Sequence, residues 1–207
     1  MSAKGAAGGG RALRIGVDLD DVLAESLPGY LEAFERRFGI HIALGQARWE
    51  LFDGQTHLTA ADREAFYAEL MRADFLGGRP PDPAGLAVIR QLHAAGHTLV
   101  LVTSRPLAFE PVTRRWLGRH GIAECFAAVV HRDGPRGPIF KPEVARERAL
   151  ELFVEDELPV AVALAAAGVR VLLMDHPWNR GPRPEGLIPV TSWAEALEQI
   201  ARAARAG

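Results

Sequence analysis

The chain has a single cysteine, Cys125, in 207 residues, which rules out a disulfide within it and fits a reducing compartment. Cys125 sits in the apolar stretch Ile122-Ala123-Glu124-Cys125-Phe126, where it reads as a small core residue with no catalytic partner nearby. No apolar run approaches the roughly 20 residues of a membrane span. The opening segment, small and rich in Gly and Ala with one lysine, lacks the apolar centre of a signal peptide. A disordered tail over 1–12 and a soluble, cytoplasmic protein are therefore expected. Strong charge of either sign is missing too: a net charge of -2 supplies no field for binding a nucleic-acid polymer. What the chain does have is apolar content, 48%, enough for one cored domain or one domain with a modest insertion.

That content is distributed as α/β. Apolar, β-rich runs recur at Ile15–Leu19, Thr98–Thr103, Ala127–Val130, Leu152–Val154 and Arg170–Met174. Helical spacing marks Gly85–Ala95, Glu110–His120 and Pro159–Ala167, with Gly96, Gly121 and Gly168 just beyond their ends, where a left-handed cap belongs. Ser192 is a good N-cap for a closing helix. Strands alternating with helices predict a parallel sheet with right-handed crossovers and helices on both faces. The interval 26–83 breaks the alternation. It has no convincing buried strand, while Gly29–Phe38 and Ala60–Arg72 look helical. A structureless loop of that length is improbable in a compact domain, so 26–83 is read as a small helical cap inserted after the first strand. Residues 13–25 and 84–207 then form the core, with Leu76–Pro81 as the returning hinge. Trp49, Phe52 and Phe75 are aromatic enough to line a substrate pocket, or to pack the cap.

The chemistry lies where the strands should end. Ile15-Gly16-Val17 runs into Asp18, Asp20 and Asp21, and buried carboxylates are strongly unfavourable unless paired, hydrogen-bonded or metal-bound. Asp18 and Asp20 would share a face if the strand continued. Such a pair can hold a hard divalent cation through oxygen, with one carboxylate attacking an electrophile and the other handling protons. The plainer alternative is a strand end with Asp21 capping the next helix. Thr103-Ser104-Arg105 after the second strand offers hydroxyls, turn amides and a guanidinium suited to an anion. Lys141 stands before Pro142, which can start a helix. Glu155 and Asp156 again place acids after an apolar strand, where either could add an oxygen ligand or begin the following helix.

Taken in order, Asp18-x-Asp20, Thr103-Ser104-Arg105, Lys141 and Glu155-Asp156 resemble the four motifs of the haloacid dehalogenase superfamily, from about Arg14 to Met174. The paired aspartates point to its phosphatase branch. The segments around Thr103, Glu155 and Asp175-His176-Pro177-Trp178-Asn179-Arg180 look like the 5'(3')-deoxyribonucleotidase-like family. This resemblance implies a Rossmann-like core, Mg²⁺ as cofactor and hydrolysis of a small phosphorylated metabolite, foremost a nucleoside monophosphate. By the same resemblance Asp18 is the nucleophile and Asp20 the acid and base. Thr103, Ser104 and Lys141 hold the phosphoryl group. Asp18, the Asp20 carbonyl and Asp156 bind metal, with Glu155 behind them. Many relatives have two aspartates where this chain has Glu155-Asp156, so the direct ligand stays open between the two. Arg105 is a candidate for substrate contact, as are Trp49, Phe52 and Phe75. Arg105 and the turn Pro177–Arg180 are equally open to a bracing role. Two other readings stand beside this one: a phosphatase for a non-nucleotide ester, and a non-catalytic regulatory domain that binds phosphate or metal. A homodimer is compatible with all three.

Overall fold

The computed structural model describes residues 10–48, 50–134, 137–181 and 183–206. Strands β1 (Arg14–Val17), β2 (Thr98–Pro106), β3 (Phe126–Arg132), β4 (Leu152–Glu155), β5 (Arg170–Met174) and β6 (Leu187–Val190) form a parallel sheet in the order β3-β2-β1-β4-β5-β6. The alternation along each strand decides the two layers. Ile15, Val17, Leu99, Leu101, Leu152, Val154 and Leu172 face a cluster completed by Leu86, Ile89, Trp116, Leu117, Trp193 and Ile200. Those partners come from α4 (Pro83–Ala94), α5 (Glu110–Arg119) and α8 (Trp193–Arg205). The intervening residues Val100, Val102, Phe153, Val171 and Leu173 face the other way, toward Phe140, Val144, Val160 and Leu164 of α6 (Gly137–Glu147) and α7 (Leu158–Ala166). A period of two thus serves two cores at once. Gly16 is required at the sheet centre, because a Cβ there would lie 2.3 Å from the Phe153 ring.

Strand order reverses around β1: the chain leaves it for β2 and β3, then crosses back to β4 on its other side. In open α/β sheets that switch point opens a crevice beyond the carboxyl ends of the strands. Asp18, Thr103 and Glu155-Asp156 all lie at that edge.

Between β1 and α4 lie α1 (Leu27–Phe38), α2 (Ala60–Leu70) and α3 (Ala73–Gly77). They enclose an aromatic cluster of their own, in which Phe34 meets Phe52 and Phe66 edge-on at 5.2 and 5.3 Å. The Thr59 hydroxyl accepts from the Asp62 N–H and the Asp62 carboxylate accepts from the Thr59 N–H, a capping box that starts α2.

The structure differs from the sequence reading at three places. Residues 1–9 of the expected tail lie outside the described residues, but its end is docked: the Arg11 N–H donates to the Ala204 carbonyl at 2.9 Å, giving both backbone groups a partner. β6 was masked by Pro189, which is tolerated because this edge strand pairs only with β5. Helix α6 begins at Gly137, so Pro142 lies inside it rather than at its start.

Candidate catalytic and metal site

Asp18 leaves the end of β1 buried, 6% exposed, and its amide still donates to the Val154 carbonyl of β4. That backbone bond brings the two acid-bearing strand ends together. Asp18, Glu155 and Asp156 each offer a carboxylate oxygen within 4.8 Å of the others. Lys141 reaches between them from α6, 2.9 Å from Asp18 Oδ2 and 2.8 Å from Glu155 Oε2. Glu155 Oε1 accepts from the Glu157 N–H, so both its oxygens are engaged. Asp18 Oδ1 is buried without a protein partner.

The electrostatics follow from this crowding. Desolvation, offset in part by Lys141 and reinforced by Glu155, pushes the Asp18 carboxyl up to about 7. Asp156 is driven well above the ordinary carboxylate range by burial first and then by Glu155, Asp21 and Asp18. Lys141 is raised above its usual value: burial opposes its charge, but the two carboxylates win. One ammonium cannot balance three ionised acids, so without a further cation the surplus is met by protons. An unpartnered oxygen beside that surplus is what a hard, oxygen-preferring divalent cation fits.

Asp20 points elsewhere. Its Oδ2 and Oδ1 accept from Arg105 Nε and Nη2 at 2.8 and 2.7 Å, and Oδ1 also accepts from the Ser26 hydroxyl. Burial opposes ionisation of Asp20, yet the two-pronged guanidinium contact and the Ser26 bond hold its carboxyl below the ordinary value. The structure therefore directs Arg105, 3% exposed, onto Asp20. Its planar fork matches a carboxylate, so Nε and Nη2 brace the acid, while Nη1 is buried without a partner. Asp21, with φ of 57° in the left-handed region, turns its Oδ1 to accept from the Ser26 and Leu27 N–H groups. It caps α1, as the plainer reading of the triad expected.

Thr103 is fully buried beside these groups, and its Oγ1 accepts from the Arg105 N–H at 3.2 Å. Ser104 Oγ is buried without a partner, close to Gly137, where a Cβ would stand 3.1 Å from it. Of the two roles open to the cap aromatics, Phe52 and Phe75 take the packing one. Phe52 is buried among Phe34, Phe38, Phe66 and Tyr67 because its ring fills the insertion's own core. Phe75 is stacked on Tyr30 at 5.6 Å and carries the Arg79 guanidinium at 4.0 Å. Trp49 lies outside the described residues. Sequence reasoning missed Ser26, whose only local signal was its place before a helix, and left unassigned His176, Trp178 and Asn179, which hold Asp156 and Asp21. Lys141 carried a signal of its own as one of two lysines in a chain otherwise supplied with arginine.

A cleft of about 410 Å³ lined by Arg11, Glu151, Arg170 and Ala203 lies at the opposite, amino edge of the sheet and contains none of these groups. Among the described residues no helix is long and apolar enough to cross a membrane.

The chain is similar to known proteins in sequence and in fold. The chain is 31% identical over 101 residues to a Halalkalibacterium halodurans protein named "putative nucleotidase", an overlap of 48% of this chain and 49% of that one. It thus spans about half the length of the curated relatives it matches. A Deinococcus radiodurans hydrolase of the haloacid dehalogenase family, solved with bound phosphate and sodium, has a TM-score of 0.67 at 19% identity, covering 94% of this chain and 97% of that one. A Streptococcus pneumoniae haloacid dehalogenase-like hydrolase reaches 0.69 at 14% identity, covering 91% and 98%. These two likenesses are of fold alone. The model of the haloacid dehalogenase-like hydrolases matches residues 15–169, from β1 to the end of the crossover into β5, so the chain belongs to that family.

Proposed function

We propose that this protein is a Mg²⁺-dependent phosphomonoesterase that hydrolyses nucleoside monophosphates through a phosphorylated Asp18. The observation that carries the reading is the unpartnered, buried Asp18 Oδ1 beside Lys141 at the sheet's switch point. In the first displacement one oxygen of the Asp18 carboxylate bonds to phosphorus as the ester P–O bond breaks, and Asp20 gives its proton to the departing alkoxide. In the second, water attacks the same phosphorus, Asp20 takes the water's proton, and the bond to Asp18 breaks to release phosphate. Arg105 holds Asp20 ionised before substrate arrives. A substrate phosphate that enters as its monoanion brings the proton needed for the first step: its negative charge opposes the Arg105 field, and its proton passes to Asp20 as it becomes the dianion. Lys141, Thr103 and Ser104 are the cation and hydroxyls that stabilise the phosphoryl oxygens as charge shifts.

Asp18, Asp156 and the Asp20 carbonyl would hold Mg²⁺, with Glu155 behind them fixing Lys141. The bound cation offsets repulsion between the nucleophile and the phosphate. Residues 26–83 act as a cap over this edge, and the nucleotide assignment draws on the names of the curated relatives. One observation favours a second reading, a non-nucleotide ester: the Phe52 and Phe75 rings already pack against protein side chains.

Phosphate release should be measured on ribo- and deoxyribonucleoside monophosphates and sugar phosphates, with Mg²⁺, with chelator, and with Asp18→Asn. Turnover that depends on Mg²⁺, concentrates on nucleotides and falls by at least about 10³-fold in Asp18→Asn, or roughly 4 kcal/mol of barrier, is the expected result. Near-normal turnover in a folded Asp18→Asn protein rejects the nucleophile. Preference for sugar phosphates keeps the mechanism and replaces the substrate.

A further inference from the structure

The turn after β5 grips the acidic centre at three points that the catalytic reading leaves unused. Trp178 Nε1 donates to Asp156 Oδ2 at 3.0 Å. Asn179 Nδ2 donates to the Asp156 carbonyl at 2.7 Å and to the Met174 carbonyl at 2.6 Å, tying the ends of β4 and β5. His176 Nε2 lies 2.9 Å from the Asp21 carbonyl, which can only accept, so that nitrogen carries the proton. The His176 and Trp178 rings stack at 4.1 Å with 6° between their planes, so the two contacts share one rigid unit. Trp178 is partly buried and packs against the aromatic cluster of the insertion.

An indole N–H is a neutral, single donor. It fixes one carboxylate oxygen without cancelling the negative charge, and it selects which oxygen of Asp156 is turned away from the cation. Lysine or arginine at that place would compete with the metal for the same charge. Outer groups that orient a ligand in this way typically change metal affinity by about 10–100-fold when removed.

We propose that Trp178 is a positioning residue for the metal ligand Asp156, held in register with the β1 loop through His176. The inference rests on the metal-centre reading above. Mg²⁺ affinity should be measured by calorimetry on the full chain for wild type, Trp178→Phe and Arg180→Ala. The last keeps the turn and alters only a long, exposed ion pair to Asp175. Trp178→Phe keeps the stacking ring and loses the donor. The expected result is about 10–100-fold weaker Mg²⁺ binding in Trp178→Phe, with an unchanged melting temperature and wild-type affinity in Arg180→Ala. Unchanged affinity in a folded Trp178→Phe protein overturns this proposal alone, whereas no Mg²⁺ binding by wild type overturns the metal-centre reading with it. If Trp178→Phe does not fold, the indole N–H resonance of Trp178 in the wild type decides. A shift on adding Mg²⁺ supports the contact with a ligating carboxylate, and a resonance that stays in place while Mg²⁺ binds rejects it.

Discussion

The carboxyl edge of the sheet and the helical insertion are both buried, but by opposite means. The insertion excludes water with Phe34, Phe52, Phe66 and Leu70, and its charges stay outside, as with Arg36 and Arg37 against Glu69. The sheet edge buries Asp18, Glu155, Asp156, Arg105 and Lys141. Apolar rings tolerate truncation with a local loss, because what disappears is contact and transfer energy. Buried ions form a mutually dependent set, since removing one leaves the others desolvated and uncompensated. The first kind of core holds a segment's shape; the second concentrates charge at one edge of the sheet.

The contrast is tested hardest by removing Lys141, one of the two cations of the charged set. Lys141→Met retains most of the volume but strands Asp18 and Glu155, and should cost about 3–5 kcal/mol at neutral pH in urea unfolding. A cost under about 1 kcal/mol would mean that the carboxylates simply take up protons. Phe34→Ala should cost a similar or smaller amount, about 3–5 kcal/mol at most. Its effect should be confined in hydrogen exchange to amides of 27–70, with β1, β2 and β4 still protected. Loss of protection in the strands as well would show that the two regions are one cooperative unit.

A smaller effect sharpens the comparison by pH. The Asp18 carboxyl moves from its ordinary 3.8 to about 7 on folding, chiefly because it is desolvated. Between those values the folded chain keeps a proton that the unfolded chain releases, so the stability contributed at this position falls as pH rises through the window. Asp18→Asn removes that titration. In chelator, its melting temperature relative to wild type should rise from about pH 4 to about pH 7 and then level off. A difference that is flat across pH would place the Asp18 titration outside this window. Exposed Asp62 and Glu195, lowered by hydrogen bonds to Thr59 and Thr191, act with the opposite sign and are common to both proteins.

Much of this was legible along the chain because it depends on short-range rules. Apolar, β-rich runs announced β1, β2, β3, β4 and β5. Ser192 announced α8, and its hydroxyl accepts from the Glu195 N–H. Acids and hydroxyls placed just past apolar runs marked the carboxyl edge of the sheet as the candidate site. The misses have equally specific causes. β6 was hidden because proline is excluded from strand interiors but not from an edge. α6 was hidden because Gly137, Pro138 and Pro142 obscure its pattern.

The sequence by itself determined which reactive groups the chain carries: carboxylates just past two strands, hydroxyls at the end of a third, a lone lysine between apolar residues and a proline, and apolar periods that bury everything between them. Only the tertiary structure decided who meets whom. Arg105 pairs with Asp20 across 85 positions, Lys141 stands between Asp18 and Glu155, Phe52 turns into the insertion, and Trp178 reaches Asp156. The reason is physical. Periodicity assigns a side chain to a face, whereas partners are set by strand order and by the need of each buried charge to find its opposite.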